Sequence, residues 1–468
     1  MRFNTSLCCS LLLAAACALQ TQSASAGGTS VITPTASKPA MSADDFACKK
    51  KYGKAFRYVE TIGVCMRFDV SAYASFGKDF AEEDIELYGN RIAVPGGGQL
   101  PLLTYDLKDV SDDTKYLQVG GGLTTDVTVV RDTKGGPFVG FLSLGVYSGG
   151  DFSSPDQLWD DQNIYNDSSW NVYPGVVEQA WVKFQNVQIG IQPSRFDFMY
   201  AGFSAFPGYA TRDKVFAVAA TKAHGNISVG VALEDSSRRD RDDGVLANYN
   251  EEFSLDPVIQ IRARYKNGVY HASGALHRVT FDGADFNMDN TETWGTAGRL
   301  GALFEFPWKG DPNDKTDNQL SRVMLTAAAA HGALGYLGVP NMVIDYIADG
   351  DSNLTLSNGV SGLVSFEHHF NARTSVSLTG SAFWTEMLSD EAPIAEISGN
   401  DVEFEQNVQL VGTKIQAGVE HRLRSNLLVG GEVAYTWSRA SGEYDGADAQ
   451  SVDAGFPEAR LYLSWKLK

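Results

Sequence analysis

A chain of 468 residues with 57 acidic and 38 basic side chains carries a net charge of −19, which argues against a nucleic-acid partner and for a strongly hydrated surface. Hydrophobic residues make up 43% and the mean hydropathy is −0.18. Those values exclude a bundle of membrane helices but suit a soluble protein or a β-barrel. The 47 glycines stand beside only 15 prolines, so they do not mark Pro-rich linkers.

The chain opens as an export signal. Arg2 supplies the positive start, "LCCSLLLAAACALQ" the apolar core, and Ala24-Ser25-Ala26 a cleavage site before Gly27. A lipoprotein signal that keeps Cys17 is the rival reading, weakened by Ala14 where a leucine is expected. The apolar core is too short to span a bilayer as an uncleaved anchor. Removing 1–26 takes one basic residue and brings the net charge to −20. It also leaves Cys48 and Cys65 as the remaining cysteines, which in an exported chain read as one disulfide. Zinc would require more ligands, and no histidine lies between the two. Residues 27–47, rich in Ser, Thr, Ala, Pro and Gly, read as a flexible leader.

From Cys65 onward the pattern is alternation with period two. In "RFDVSAYASF", Phe68, Val70, Ala72, Ala74 and Phe76 share one face, and Arg67, Asp69, Ser71, Tyr73 and Ser75 the other. "YLQVGGGLTTDVTVV", "VQIGIQ", "IQIRARY", "KIQAGVEHRL" and the final "ARLYLSWKLK" repeat the scheme. One such strand decides nothing, because sandwich strands alternate too. Here the strands run to about ten residues, the length that crosses a bilayer at a tilt. Their polar faces carry Arg, Lys, Glu and Gln, and their apolar faces Val, Leu, Ile and aromatic residues, as lumen and lipid demand. Aromatic residues in "WVKF" and at Trp384, Trp437 and Trp465 fit an interfacial girdle or ordinary strand aromatics.

Connection length alternates as well. Gln185-Asn186, "AHGN" at 223–226, "KNG" at 266–268, "NAR" at 371–373 and "RS" at 424–425 are tight. Between them lie long segments near 77–115, 148–175, 193–213, 235–256, 279–293, 333–357, 385–406 and 438–456. The expected fold is all-β, a transmembrane antiparallel barrel over 66–468 with about sixteen strands, short periplasmic turns and long extracellular loops. The connection 307–320 is long on the short-turn side, and strand boundaries are least defined around 305–360.

The stretch "CKKKYGKAFRYVETIGVCMRFDVSAYASFGKDF" resembles the start of the alphaproteobacterial porin family, the general porins of Brucella and the rhizobia. The matching residues are Cys48, Tyr52, Gly53, Phe56, Tyr58, Gly63, Cys65 and Arg67. A second block, "VEQAWVKFQNVQIGIQPSRFDF", is similar to that family's paired central strands and the start of its pore loop. The resemblance implies a sixteen-stranded homotrimeric porin of the bacterial outer membrane, with the disulfide clamping the 48–65 loop at the periplasmic rim. The chain departs from the usual aromatic end of such barrels, finishing "YLSWKLK", and its loops share little with the family.

In porins of this size the third long loop folds inward, and by position this is 193–213. It carries Arg195, Asp197, Tyr200, Arg212 and Asp213, while Arg67, Arg262, Arg264, Arg299, Lys414, Arg422 and Arg460 lie on inward faces of the wall. An acidic loop against a basic wall would set up a transverse field at the constriction, with Asp197 and Arg262 the leading candidates. "SSRRDRDDG" at 236–244 reads as a solvated charge run at the outer mouth, with contact to lipopolysaccharide phosphates through Arg238, Arg239 and Arg241 the sharper alternative. "DGDSN" at 349–353 begins like a calcium loop, but Val360 stands at position twelve, so an EF-hand is rejected.

No G-x-S-x-G or H-E-x-x-H is present among the seven histidines. His368 and His369 are strand neighbours and point to opposite faces, and His271 and His277 are six residues apart. The expectation is no enzyme, no cofactor and no metal. The expected activity is passive diffusion of small hydrophilic solutes and ions through a water-filled channel. The alternative is a substrate-selective uptake channel or a surface-binding barrel that uses its long loops.

Overall fold

The computed structural model describes residues 43–467, apart from 80–82, 94–98, 110–116, 150–170, 199–207, 238, 240–253, 282–290, 309–318, 340–343, 349–353, 372, 390–394, 398–399, 403–405 and 445–449. Its contacts fall into two units, Met1–Ala47 and Cys48–Lys468, and the second contains the barrel.

Alternating residues pair as strands wherever the sequence alternates. The barrel strands are β1 (Val64–Asp79), β2 (Leu117–Thr133), β3 (Gly136–Gly149), β4 (Asn171–Phe184), β5 (Val187–Pro193), β6 (Lys214–His224), β7 (Ile227–Asp235) and β8 (Leu255–Tyr265). They continue as β9 (Gly268–Phe281), β10 (Thr291–Trp308), β11 (Gln319–His331), β12 (Asn358–His369), β13 (Thr374–Ser389), β14 (Gln406–Arg424), β15 (Leu427–Tyr444) and β16 (Gln450–Leu467). Successive strands pair antiparallel. The ring closes because β1 pairs with both β2 (Cys65↔Val130 to Lys78↔Leu117) and β16 (Val70↔Leu467 to Asp79↔Glu458). The sheet's remaining member, Arg57–Val59, pairs only with the start of β1. Closure satisfies every ladder and leaves no edge to face lipid.

The closing seam shows how the alternation sets register. Val70, Ala72, Ala74 and Phe76 stand opposite Leu467, Trp465, Leu463 and Leu461, so the outward apolar residues of first and last strands meet on one face. A slip of one residue would turn Arg460 and Tyr462 toward lipid. The outward alternation therefore runs to Leu467, the end of β16. Around the barrel the same face exposes Leu276, Leu300, Val364, Leu378, Ile415 and Val433 among many large apolar side chains. That band faces hydrocarbon. No helix among the described residues is long and apolar enough to cross a membrane, and the strands do the crossing.

Tight turns sit where the sequence placed them. Gln185 adopts a positive φ of 53° between β4 and β5, an arrangement held by its side chain donating to the Gly135 carbonyl at 2.9 Å. Between β12 and β13 the Asn371 carboxamide oxygen accepts from Arg373 and Thr374 amides at 2.8 and 2.9 Å, the local bond that favours Asn in turns. The long connection on this side joins Trp308 to Gln319, so β10 and β11 outrun the boundaries suggested by the sequence. Residues 309–318 and the 349–353 segment lie outside the described residues.

At the N-terminal end a helix, α1 (Ala43–Tyr52), begins inside the stretch whose composition reads as leader. Asp44 and Asp45 in its first turn and Lys49, Lys50 and Lys51 in its last complement the helix dipole. Cys48 and Cys65 are bonded, with Cα atoms 5.6 Å apart. Cys48 is buried with Phe56 and Val130, against Tyr52, Tyr58 and Val139. Lys51 and Tyr52 both reach Asp132 at 2.7 Å, at the end of β2. The Asp132 contact holds the Lys51 amine above its ordinary range. The segment therefore lies against the turn-side end of β1–β3. On the chain-entropy account a bridge across this loop stabilises by about 3 kcal/mol. Reducing it should leave the barrel folded yet speed tryptic cleavage around Lys49–Lys54 by about tenfold or more; an unchanged cleavage rate would mean the bridge holds nothing in place.

Candidate functional site

The inner face of the ring is polar and charged, as the alternation requires. Large parts of it are covered by two inward-folded segments of the longer loops. The described parts of the third loop, 194–198 and 208–213, enter between β5 and β6, and those of the sixth, 332–339, 344–348 and 354–357, between β11 and β12. They pack on wall positions that are unusually small: Ala219, Ala232, Ala275, Ala297, Ala328 and Ala330 form one buried cluster with Phe196, Tyr209, Leu334, Tyr336, Leu337 and Val339 from the loops. Small inward residues leave the room that the loops fill.

The sixth loop turns on a short 3-10 helix, Leu334–Leu337, closed by Gly338 at φ 73°. A side chain at Gly338 would also stand 2.6 Å from the Ala210 backbone, and one at Gly335 would run into the Arg239 carbonyl. Close backbone approach joins the third, fourth and sixth loops at these two glycines.

Buried charges complete the joint. Arg239, 1% exposed, lies 3.0 Å from Asp213, 3.2 Å from Glu234 and 3.8 Å from Asp197, with its guanidinium 4.1 Å over the Tyr336 ring. Asp197 accepts from the Thr211 hydroxyl and, at 2.7 Å, from the Asp213 amide, which ties the two ends of the third loop. Arg299 donates to the Tyr336 carbonyl at 2.7 Å and stands 3.9 Å from Asp197 and 5.0 Å over Phe196. Deeper in the sixth loop, Tyr336 donates to Asp256 at 2.6 Å. His277 sits between Asp256, at 2.9 Å, and Asp345, at 3.5 Å. Asp345 accepts from the Leu334 amide. Burial pushes the Tyr209 phenol up to about 12.

The sequence-selected residues thus separate into groups. Asp197, Asp213 and Arg299 are brought together, in the network that holds the loops. Arg195 turns toward β5, its guanidinium 3.4 Å from both Gln188 and Gln192, and Arg262 is a half-buried wall position of β8. Arg212 is half-buried and Arg264 and Arg422 exposed, while Tyr200 is outside the described residues. Arg67 pairs with Asp69 at 2.6 Å and lies over Phe56 of the N-terminal segment. Lys414 pairs with Glu458 at 2.6 Å. Arg460 lies near Tyr73 and Tyr462, and Tyr462 donates to Glu420 at 2.8 Å.

Two expectations are corrected. Arg239 was read as part of a solvated charge run, but it is buried among three carboxylates, where a guanidinium's fork of donors is most useful; Arg238 and Arg241 are outside the described residues. The girdle reading of "WVKF", given beside that of ordinary strand aromatics, does not hold for Trp181. It alternates with lipid-exposed Val182 and Phe184, so it turns inward and stacks on Phe141 at 5.3 Å. Trp465 is exposed on the outer face.

Sequence reading missed Glu234, Asp256, His277, Tyr336 and Asp345. The available signal was "GALGYLGV" at 332–339, an apolar run inside a supposed extracellular loop. The histidines serve structural bonds: His271 meets the Phe196 carbonyl at 3.1 Å, His368 the Ser321 hydroxyl at 2.8 Å and His369 Glu367 at 3.1 Å.

No protein-family model matches this chain, and no curated protein is similar to it in sequence. Among solved structures it is similar to the outer membrane channel DcaP of Acinetobacter baumannii, with a TM-score of 0.57, 12% identity, and coverage of 88% of this chain and 100% of that one. It is more weakly similar to OmpF of Salmonella typhi in complex with daunomycin (TM-score 0.42, 11% identity, 87% and 99% coverage). The anion-selective porin from Comamonas acidovorans gives 0.40, 10%, and 86% and 99%. At such identities the likeness is one of fold, and the first of the three carries it. With its closed ring, apolar outer band and polar lumen, the chain is a sixteen-stranded transmembrane antiparallel β-barrel that shares its fold with that channel.

Proposed function

We propose that the protein is an outer-membrane porin for passive diffusion of small hydrophilic solutes and ions, exported by residues 1–26 and working as a homotrimer. The observation that carries this reading is the lumen: a charged inner wall narrowed by a third loop that is held by buried hydrogen bonds and ion pairs. The cysteine-flanked text from Cys48 to Cys65 supports kinship with the alphaproteobacterial porins. Lipopolysaccharide is the expected neighbour of the outer loops.

A transverse field is part of the proposal, with its polarity set by what the loop network leaves over. Asp197 and Asp213 are engaged in holding the third loop, so the charges left to that loop are Arg195 and Arg212, while Arg262 and Arg264 are carried by β8. Across the ring, β14 and β15 carry Glu420 and Glu432 inward. The field would run from a basic loop side to a partly acidic wall, the reverse of the sequence expectation. Arg67, Lys414 and Arg460 line the same lumen with carboxylates or tyrosines beside them.

A second reading, a substrate-selective channel, is favoured by the sixth loop. Two infolded segments narrow the lumen more than one does, and Tyr73 and Tyr147, with ring centroids 6.2 Å apart, add aromatic surface to the far wall. Single-channel current of purified, unheated protein in a planar bilayer under a salt gradient tests the proposal. Large stable steps in groups of three are expected, and their reversal potential gives ion preference. Absence of steps from correctly folded, heat-modifiable protein would overturn the open-pore reading.

A further inference from the structure

The turn side of the barrel carries a charge opposite to that of the whole chain. Six tight turns fall at 131–136, 183–187, 222–227, 264–268, 370–374 and 422–427, and together they hold nine lysines and arginines against one acid, Asp132. Each turn has at least one exposed cation, as at Lys134, Lys183, Lys222, Lys266, Arg373 and Arg424. Asp132 is already taken by Lys51 at 2.7 Å, whereas these six cations have no carboxylate partner among the described residues. The seventh turn-side connection, 309–318, lies outside the described residues. More than half of the chain's 57 acidic residues lie in the longer connections on the other side, so the net charge hides a strong polarity.

Backbone hydrogen bonds hold the turns at one level. The Asn186 carbonyl accepts from the Thr221 amide at 2.9 Å, Asn226 from Arg264 at 2.8 Å, Asn267 from Glu305 at 2.9 Å and Asn426 from Lys466 at 2.9 Å. Each of these bonds joins a turn to the strand that follows its hairpin, so the rim is a connected collar and not a set of free tips. Just inside it the outer wall exposes Phe138, Phe184, Tyr265, Phe306 and Phe366, aromatic residues of the kind that mark where hydrocarbon gives way to headgroups. Lys183 and Lys266 are chain neighbours of Phe184 and Tyr265. Lys222 continues the outward face of Phe216 and Val218 on β6. The collar therefore carries its cations at headgroup depth.

We propose that this collar binds anionic phospholipid, through the headgroup phosphates of the leaflet on the turn side. The inference rests on the outer-membrane reading above, in which the turns face the periplasm, and adds a partner for that end of the barrel. Lysines and arginines at a membrane surface attract anionic lipid within about a Debye length, and cations on a fixed rim lose little backbone freedom in engaging it. A net charge of −20 for the exported chain, if spread evenly, would instead repel such lipid. A preference for it would therefore not follow from overall charge.

The test uses the purified whole protein in phosphatidylcholine bilayers that contain a trace of spin-labelled phosphatidylglycerol or spin-labelled phosphatidylcholine. Electron spin resonance reads the share of each label held at the protein surface. Phosphatidylglycerol should associate more strongly by about twofold or more at low salt, and the two lipids should become equal in about 1 M potassium chloride. The quadruple variant Lys134→Gln, Lys222→Gln, Lys266→Gln, Arg373→Gln, shown to be folded by heat-modifiability on gels, should bring the ratio close to one at low salt. Equal association of both lipids with the wild type, or a preference that survives in the folded variant, would overturn the inference. So would cosedimentation of the wild type, but not the variant, with purified peptidoglycan in the absence of a lipid preference, a result that assigns the collar to the cell wall. Labelling of Lys266→Cys by an impermeant thiol reagent on intact cells would instead overturn the periplasmic placement of the turns, and with it the reading on which the inference rests, whatever ratio the bilayers give.

Discussion

Replacing Arg239 with methionine should raise single-channel conductance and make the current flicker. The methionine keeps much of the side chain's volume over the Tyr336 ring but removes the cation shared by Asp213, Glu234 and Asp197. Breaking a buried ionic contact by deleting one partner costs about 3–5 kcal/mol, because the remaining charges stay buried and unpaired. The barrel ladders are not touched, so the loss falls on the attachment of the third and sixth loops. Those loops occupy the lumen, and looser loops mean a wider and noisier passage. Bilayer recordings of wild type and Arg239→Met, both heat-modifiable, provide the comparison. Identical conductance and noise would mean that Arg239 does not hold the constriction.

The second large effect concerns the outer wall. Leu300, in mid-β10, is 67% exposed, and its face points to hydrocarbon. Leu300→Arg should destabilise the folded barrel by about 2–4 kcal/mol, the cost of an arginine near the bilayer midplane. Ser71→Arg, on the inner face of β1, should change stability far less, because water reaches that side. Reversible denaturant unfolding from lipid vesicles reads both. A small effect at Leu300 with a large one at Ser71 would invert the inside-outside assignment of the wall.

That assignment was legible from residues such as "IQIRARY", where Ile259 and Ile261 are exposed and Gln260 is buried. Period-two text is a local signal, and the pleat converts it directly into two faces. Alternating connection lengths then gave strand number and orientation. The signal weakened where the inner face is small: in "LTAAAAH" of β11 both faces are largely alanine, so the alternation fades, although the structure pairs it fully with β10 and β12.

The site was legible only in part. Position in the chain identified the third loop, but not what its charges do. Asp197 and Arg299 looked like pore charges, yet their partners come from Thr211, the Asp213 amide and Tyr336, contacts created by infolding of loops distant in sequence. Loops have no period to read. Arg239 illustrates the limit: "SRRDRD" is a soluble-looking run, and only the packed structure shows one of its arginines enclosed.

The most direct measurement of the central claim is osmotic swelling of liposomes that contain the purified protein, with neutral sugars of increasing size. A water-filled channel narrowed by two loops predicts swelling that falls smoothly as the sugar grows and reaches zero above a cutoff. Arg239→Met should move that cutoff upward. Swelling no faster than in protein-free liposomes, from barrels shown to be folded, would contradict the account and describe a closed barrel.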